Sequence, residues 1–145
     1  YEISNYARPG YDSRHNLNYW HRGEYLGVGA GAHSFACENG FGMRWSNERE
    51  PGEYMRSIAT TGQAQVTEER LNEGQAHAEF VFLGLRLLEG IDAREFAARF
   101  GVEIEAVFPH LKHLEKDGLL ANEGSRWSLT RRGLMIADSV FATFV

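Results

Sequence analysis

The chain has 145 residues, 43% of them apolar, which is enough for one ordinary domain with a core, or for a small domain with part of another. The formal net charge is −5, and acidic and basic residues are spread evenly over both halves, which argues against a polyanion-binding surface. No apolar run approaches the roughly 20 residues that cross a bilayer, and no signal peptide is visible. We therefore expect a cytoplasmic protein without a transmembrane segment.

The single cysteine, Cys37, excludes an internal disulfide and any multi-cysteine cluster held by this chain alone. We expect no metal site and no catalytic residue in this chain. The first residue is Tyr1 and residues 1–4 already alternate like a strand in progress, so we expect the chain to begin inside a larger protein.

The first half is rich in glycine, tyrosine and tryptophan and predicts short strands and loops. In chain order we expect a strand over residues 1–7, a loop over 11–24, a second strand over 25–33, an irregular stretch over 38–52 and a short helix over 52–60.

The second half predicts helices with conventional start and stop residues. In chain order we expect a buried helix over residues 76–88, a helix capped by Asp92 and ended by Gly101, a third helix over 104–117 ended by Gly118, a hairpin of residues 119–120 and 126–129, and a last helix capped by Thr130. Three helices, a small hairpin and a further helix indicate a winged-helix-like module. The fold class is therefore α+β.

Several phrases of the sequence resemble one known family over the length of the chain. They are residues 1–8 (Tyr-Glu-Ile-Ser-Asn-Tyr-Ala-Arg), 15–20 (His-Asn-Leu-Asn-Tyr-Trp), 25–34 (Tyr-Leu-Gly-Val-Gly-Ala-Gly-Ala-His-Ser), 44–47 (Arg-Trp-Ser-Asn), 51–54, 118–120, 129–130 and Gly133. The chain resembles the radical-SAM haem chaperone and oxygen-independent coproporphyrinogen III oxidase-like family.

This resemblance implies a longer protein of tetrapyrrole metabolism. Its missing N-terminal radical-SAM domain would form a partial barrel that holds a [4Fe–4S] cluster on three cysteines and binds S-adenosylmethionine, while porphyrin or haem is the further partner. Residues 1–36 would be the end of that barrel, 37–75 an irregular connecting segment and 76–145 the winged-helix-like C-terminal domain. The chain alone would bind no cofactor and be inactive, and both oxidase and chaperone remain open for the whole protein.

The resemblance also implies candidates for contact with S-adenosylmethionine or porphyrin: Tyr6, Asn16, Gly29, Gly31, Ala32 and His33. Alternate glycines on a strand would expose backbone to a flat ligand, although tight packing inside the barrel is the alternative. The imidazole of His33 could ligate iron or bond a carboxylate, or else serve structure only. Tyr6 could stack on a ring or pack in the core.

Other residues carry weaker signals. We expect the aromatic group of Tyr19, Trp20, Tyr25 and Trp45 to pack in the core or between domains. His15 and His21 are weaker ligand candidates, Arg8, Arg14 and Arg44 could pair with propionates or with surface acids, and His110 and His113 should face solvent.

A winged helix also suggests DNA binding, with residues 104–117 as the reading helix. Acidic and basic residues alternate there and the hairpin turn has an acid and no base, so several phosphates could not be neutralised. Fold analogy alone does not support that function. A third possibility is a purely structural module that covers the barrel or docks a partner.

Overall fold

The computed structural model describes residues 1–37 and 41–145. Its helices are α1 (Arg14–Trp20), α2 (Pro51–Thr61), α3 (Glu73–Gly84), α4 (Ala93–Phe100), α5 (Ile104–Val107), α6 (Leu111–Lys116), α7 (Arg131–Met135) and α8 (Ala137–Phe141). Its strands are β1 (His33–Ala36), β2 (Met43–Asn47), β3 (Gln65–Arg70), β4 (Ile91–Asp92), β5 (Leu120–Glu123) and β6 (Arg126–Leu129). The predicted α+β class is confirmed.

The chain divides into two compact units. The first unit contains Tyr1–Arg22 and His77–Val145, and the second contains Gly23–Ala76. The predicted domain boundaries fell after residues 36 and 75, whereas in the structure the N-terminal 22 residues group with the C-terminal part. A compact unit is not a family domain, so that division stays a prediction.

The hydrophobic core lies in the first unit and is built around α3. Phe80, Val81 and Leu85 are buried there with Phe96 of α4 and Trp127 of β6. The apolar run at 76–88 thus marks the central buried segment as predicted, although α3 already ends at Gly84. Burial of these side chains, each worth about 1.5–3 kcal/mol, is what stabilises the unit.

Helix α4 begins and ends where the sequence predicts. The side chain of Asp92 accepts a hydrogen bond from the N–H of Arg94, and the Arg94 guanidinium keeps the pKa of this carboxyl well below its usual range. Gly101, with φ of 72°, closes the helix in the left-handed region that favours glycine.

The predicted third helix over residues 104–117 is wrong as a single helix. It consists of α5 and α6, separated at Phe108, whose φ of −123° and ψ of 70° are not helical. Pro109 explains the break, because proline has no N–H to donate and disfavours helical geometry in the residue before it.

The C-terminal hairpin is confirmed and carries a third strand. Strands β5 and β6 are antiparallel, and the two-residue β4 pairs with β6, so the sheet order is β4-β6-β5. After the hairpin, Thr130 caps α7 by accepting a hydrogen bond from the N–H of Gly133. The predicted single last helix is two short ones, interrupted at Ile136.

The second unit contains a three-stranded antiparallel sheet in the order β1-β2-β3. Ser34 pairs with Trp45 between β1 and β2, and the β2–β3 register shifts between Ser46 and Asn47. Strands β2 and β3 lie within the segment 37–75, where the sequence predicted no strand, while residues 38–40 lie outside the described residues. The predicted helix after Pro51 is confirmed as α2.

The expected N-terminal elements need correction. Residues 1–7 form no strand but one isolated bridge between Glu2 and Leu87. The expected loop over 11–24 contains α1, which Ser13 caps by accepting a hydrogen bond from the N–H of Asn16. The cap residue was visible in the sequence, but aromatic residues at 19 and 20 are poor helix formers and hid the helix.

No helix among the described residues is long and apolar enough to cross a membrane.

Gly133 packs directly against the hairpin, and we predict that Gly133→Ala is destabilising. An added Cβ would lie 2.1 Å from the carbonyl oxygen of Leu119, so the backbone must move at a cost of about 1–3 kcal/mol. Urea unfolding followed by circular dichroism would measure this loss.

The matched control is Gly74→Ala in α3, where the nearest atom to a new Cβ is the Asn72 side-chain oxygen at 3.5 Å. Alanine is the better helix former, so this variant should be neutral or more stable by up to about 1 kcal/mol. Equal stability of the two variants would contradict the packing described here.

Candidate functional site

The glycine-rich segment 25–33 is a turn rather than the predicted strand. Tyr25 bridges to Phe35, but residues 26–32 then leave the sheet, and β1 begins only at His33. Gly29 and Gly31 have φ of 109° and 69°, which side-chain-bearing residues rarely adopt. Gly29 and Gly31 are therefore present for backbone conformation, not to bare one face of a strand, while Gly27 packs closely against the backbone of His33. We call residues 26–32 the glycine turn.

One residue of β2 bonds three of the seven carbonyl groups in the glycine turn. The N–H of Asn47 donates to the oxygen of Ala32 at 2.9 Å. Its side-chain Nδ2 donates to the oxygen of Gly29 at 3.1 Å and, over a longer 3.4 Å, to that of Gly27. The buried hydroxyl of Ser34 accepts from the N–H of Gly27 at 2.9 Å.

Several N–H groups of the glycine turn, in contrast to the carbonyl groups that Asn47 bonds, remain available for hydrogen bonding. Within residues 1–37 and 41–145, the N–H groups of Val28, Gly29 and Ala30 donate no hydrogen bond. Val28 is 82% exposed, and nothing lies within 4 Å of a Cβ placed on Gly29. The turn can therefore donate backbone hydrogen bonds to an acceptor such as a carboxylate.

Ala32 is the last residue of the glycine turn, and His33 follows it. The side chain of His33 is exposed at the start of β1, so an imidazole can reach a ligand without rearrangement of the sheet. Arg49 passes beside Gly31, with its Cγ 3.9 Å from a Cβ built there. The turn is thus not packed inside a closed core, and ligand contact by Gly29, Gly31, Ala32 and His33 stays a prediction.

Tyr6 and Asn16, the other two predicted ligand residues, belong to the first unit. Tyr6 is 89% exposed, so it does not pack in the core of this unit. Asn16 lies on α1, where its side chain donates a 3.4 Å hydrogen bond to the hydroxyl of Tyr1. The side chains of Tyr6 and Asn16 can contact a ligand only at the surface of that unit. Their contact with a ligand also stays a prediction.

Two motifs of the first unit converge on Arg86, just beyond α3. Its guanidinium lies 4.4 Å from the centroid of the Trp20 ring and donates to the hydroxyl of Ser4 at 2.8 Å. The same group lies 3.7 Å from the fully buried carboxylate of Glu2. Glu2 and Trp20 were part of ligand-like phrases, but their contacts fasten the N-terminal segment and α1 to α3.

A second buried arginine holds the end of α1. The Nε of Arg22 donates to Oε2 of Glu79 at 3.1 Å, and both side chains are nearly inaccessible. Arg22 has φ of 55°, a conformation uncommon outside glycine, asparagine and aspartate. The sequence does hold a signal for this pair, since Glu79 interrupts an apolar helix that predicts burial on every side.

Two openings in the first unit lie away from the predicted residues. A cavity of about 80 Å³ is lined by Trp20, Arg22 and Arg126 among others, and an open groove runs between Ile3 and the α7–α8 turn. None of the six predicted ligand residues lines either opening. At about 80 Å³ the cavity accommodates a few water molecules and no porphyrin.

The residues that gave weaker signals in the sequence differ in how far their side chains are buried. His113 is exposed as predicted, but His110 packs against Phe144 with ring centroids 4.9 Å apart. This burial, together with His113, lowers the pKa of His110. His15 stacks edge-on with Tyr19 at 4.8 Å, and Tyr25 packs on Phe35 at 6.2 Å.

The residues present do not fit an iron–sulfur cluster. Cys37 is the one cysteine of the sequence, and such a cluster needs several converging thiolates. Among the described residues, no group of three histidine, cysteine, aspartate or glutamate side chains could hold a metal ion. Any cluster chemistry therefore has to come from outside this chain.

Known proteins are similar to this chain over part of their own length. Residues 71–136 match the family model of the HemN C-terminal domain. The whole chain is 38% identical to the haem chaperone HemW of Bacillus subtilis and 36% identical to that of Mycobacterium tuberculosis H37Rv, covering 38% and 34% of those proteins. The chain is thus similar to these haem chaperones over its whole length and spans 34–38% of theirs.

The fold of the chain is similar to that of a solved structure. The structure of coproporphyrinogen III oxidase (HemN) from Escherichia coli, described as a radical SAM enzyme, matches 84% of this chain with a TM-score of 0.66. Sequence identity is 18% and the match covers 28% of that chain, so this likeness concerns the fold. The resemblance expected from the sequence phrases is confirmed.

The buried pair Arg22–Glu79 gives a stability prediction. Glu79→Gln should destabilise the chain by about 3–5 kcal/mol, because it leaves a buried guanidinium without its counter-charge. Arg22→Met combined with Glu79→Leu should recover much of that loss. Urea unfolding at pH 7 measures all three variants.

The control for this prediction is Glu53→Gln, which removes the Arg56 ion pair on the surface of α2. That pair is solvent-exposed, so the change should stay within about 0.5 kcal/mol. A Glu79→Gln variant as stable as Glu53→Gln would refute a buried charge pair.

Proposed function

We propose that this chain is the C-terminal part of a radical-SAM haem chaperone of the HemW type. The observation that carries the proposal is the full-length similarity to HemW haem chaperones, with every residue of the chain inside the matched region. The chain spans 34–38% of those relatives, so activity, cofactors and partners of a whole protein are part of the proposal.

The chaperone is favoured over the oxidase by the comparisons that carry sequence information. Curated HemW proteins match at 36–38% identity, whereas the oxidase HemN matches at 18% and through its fold. The segment with His15, Asn16, Tyr19 and Trp20 also resembles the chaperone branch. We propose that a preceding radical-SAM domain supplies the [4Fe–4S] cluster and S-adenosylmethionine.

The glycine turn and His33 are the proposed contribution to the ligand pocket. Unpaired N–H groups at Val28, Gly29 and Ala30 select a hydrogen-bond acceptor, and Val28 adds exposed apolar surface for a flat ring. A haem or porphyrin propionate and the carboxylate of S-adenosylmethionine share that acceptor chemistry. Tyr6 and Asn16 are proposed separately, as ligand contacts at the surface of the first unit.

We propose that residues 76–145 form a winged-helix-like module with a covering or docking role. Its order of helices and the sheet order β4-β6-β5 support this description. Nucleic-acid binding has no support, because Lys112 of α6 already pairs with Glu105 at 3.6 Å and Pro109 separates α5 from α6.

Haem binding can be tested directly with the chain and hemin as the probe. The resemblance implied that the chain alone binds no cofactor, but the glycine turn and the exposed His33 lead us to expect a shifted Soret band on titration. Binding should be at least tenfold weaker in His33→Ala, because an imidazole that ligates iron or bonds a propionate is lost. Absorbance titration under reducing conditions measures the affinity.

The matched control is His113→Ala, which removes an exposed imidazole from α6 and should bind hemin like the unaltered chain. No Soret shift with the unaltered chain would contradict the proposed pocket. Equal affinity of both histidine variants would contradict the role of His33.

A further inference from the structure

Asn47 lies where two sequence phrases meet in the second unit. It ends β2, directly after the register shift that begins at Ser46, and belongs to the Arg-Trp-Ser-Asn phrase of residues 44–47. There its amide reaches the carbonyl groups of Gly27 and Gly29, twenty and eighteen residues earlier in the chain.

The glycine turn has few other constraints. Leu26 and Val28 are 73% and 82% exposed, so neither side chain anchors the turn in an apolar core. Apart from Asn47, its N–H groups donate from Ala32 to the oxygen of Gly29 at 3.3 Å, from Gly31 to that of Glu48 at 2.7 Å, and from Gly27 to the hydroxyl of Ser34 at 2.9 Å. Glycines at positions with positive φ add conformational freedom that the remaining contacts must offset.

The chemistry of these contacts requires an amide. Both partners of the Asn47 side chain are carbonyl oxygens, so its NH₂ group must face them, and its two hydrogens match two acceptors. An aspartate of the same shape would place a carboxylate oxygen against two carbonyl oxygens. The native arrangement also occupies the carbonyl side of the turn and leaves its N–H side for the ligand.

We infer that Asn47 is a positioning residue that holds the glycine turn in the conformation that receives the ligand carboxylate. The inference rests on the proposed function, because it assumes that the turn contacts a ligand. It adds that the Arg-Trp-Ser-Asn phrase serves the pocket through its asparagine, without ligand contact by that side chain.

The test compares Asn47→Asp with Asn72→Asp in the full 145-residue chain. Asn72 lies in the same unit, but its side-chain oxygen accepts a hydrogen bond from the N–H of Gln75, a role that a carboxylate keeps. The chemical change is identical, so the control separates loss of the amide donor from the added charge. Asn47→Ala is the second variant if Asn47→Asp fails to fold.

We expect faster amide hydrogen exchange over residues 26–32 in Asn47→Asp, and hemin binding weakened about tenfold, as for the loss of one or two hydrogen bonds. The melting temperature of the first-unit core should stay unchanged in Asn47→Asp. In Asn72→Asp, hydrogen exchange over residues 26–32 and hemin binding should both stay unchanged. S-adenosylmethionine is titrated in parallel to distinguish the two carboxylate sources.

Hemin and S-adenosylmethionine affinities within twofold of the unaltered chain in Asn47→Asp would overturn the inference and leave the proposed pocket intact. Unchanged hydrogen exchange over residues 26–32 in both Asn47 variants would overturn it as well. If the unaltered chain binds neither probe, the proposed pocket fails, and the inference fails with it.

Discussion

The hydrogen bonds from Asn47 to the glycine turn are the constraint on which the candidate site depends. Without them, residues 26–32 would be an exposed loop with no apolar anchor. With them, the turn presents N–H groups at Val28, Gly29 and Ala30 beside the exposed imidazole of His33. A carboxylate-bearing planar ligand matches this combination of donors, imidazole and exposed apolar surface.

The residues of the family-like sequence phrases fall into two groups, those that are buried and those that are exposed. Glu2 and Trp20 meet at Arg86, so these members of ligand-like phrases hold the first unit together. Tyr6 and His33 are exposed and remain free to face a partner or ligand. Similarity to a family therefore covers both buried residues that hold the fold and exposed residues, and only the surroundings of each residue tell the two apart.

The helical half could be read from local rules. Asp92, Gly101 and Thr130 mark helix ends through hydrogen bonds and backbone angles that involve only neighbouring residues. The same rules would have placed a break at Pro109, since its effect on Phe108 is equally local. The predicted continuous helix over 104–117 gave too much weight to apolar periodicity.

The first half depends on contacts between distant residues, which no local pattern encodes. The turn at Gly29 exists because Asn47 bonds it from another strand, and alternating glycines look the same in a strand and in a turn. Strand β3 is exposed along its whole length, so it shows no alternation of apolar residues. The buried pair of Arg22 and Glu79 also joins residues far apart in the sequence.

A titration of the ¹⁵N-labelled chain with coproporphyrin III, followed by amide chemical shifts, tests the central claim most directly. This probe is diamagnetic and carries four carboxylates. The account predicts the largest shifts at the amides of Val28, Gly29, Ala30 and His33, which would take part in the contact. Shifts confined to α5 and α6, or no shifts at all, would contradict a ligand site at the glycine turn.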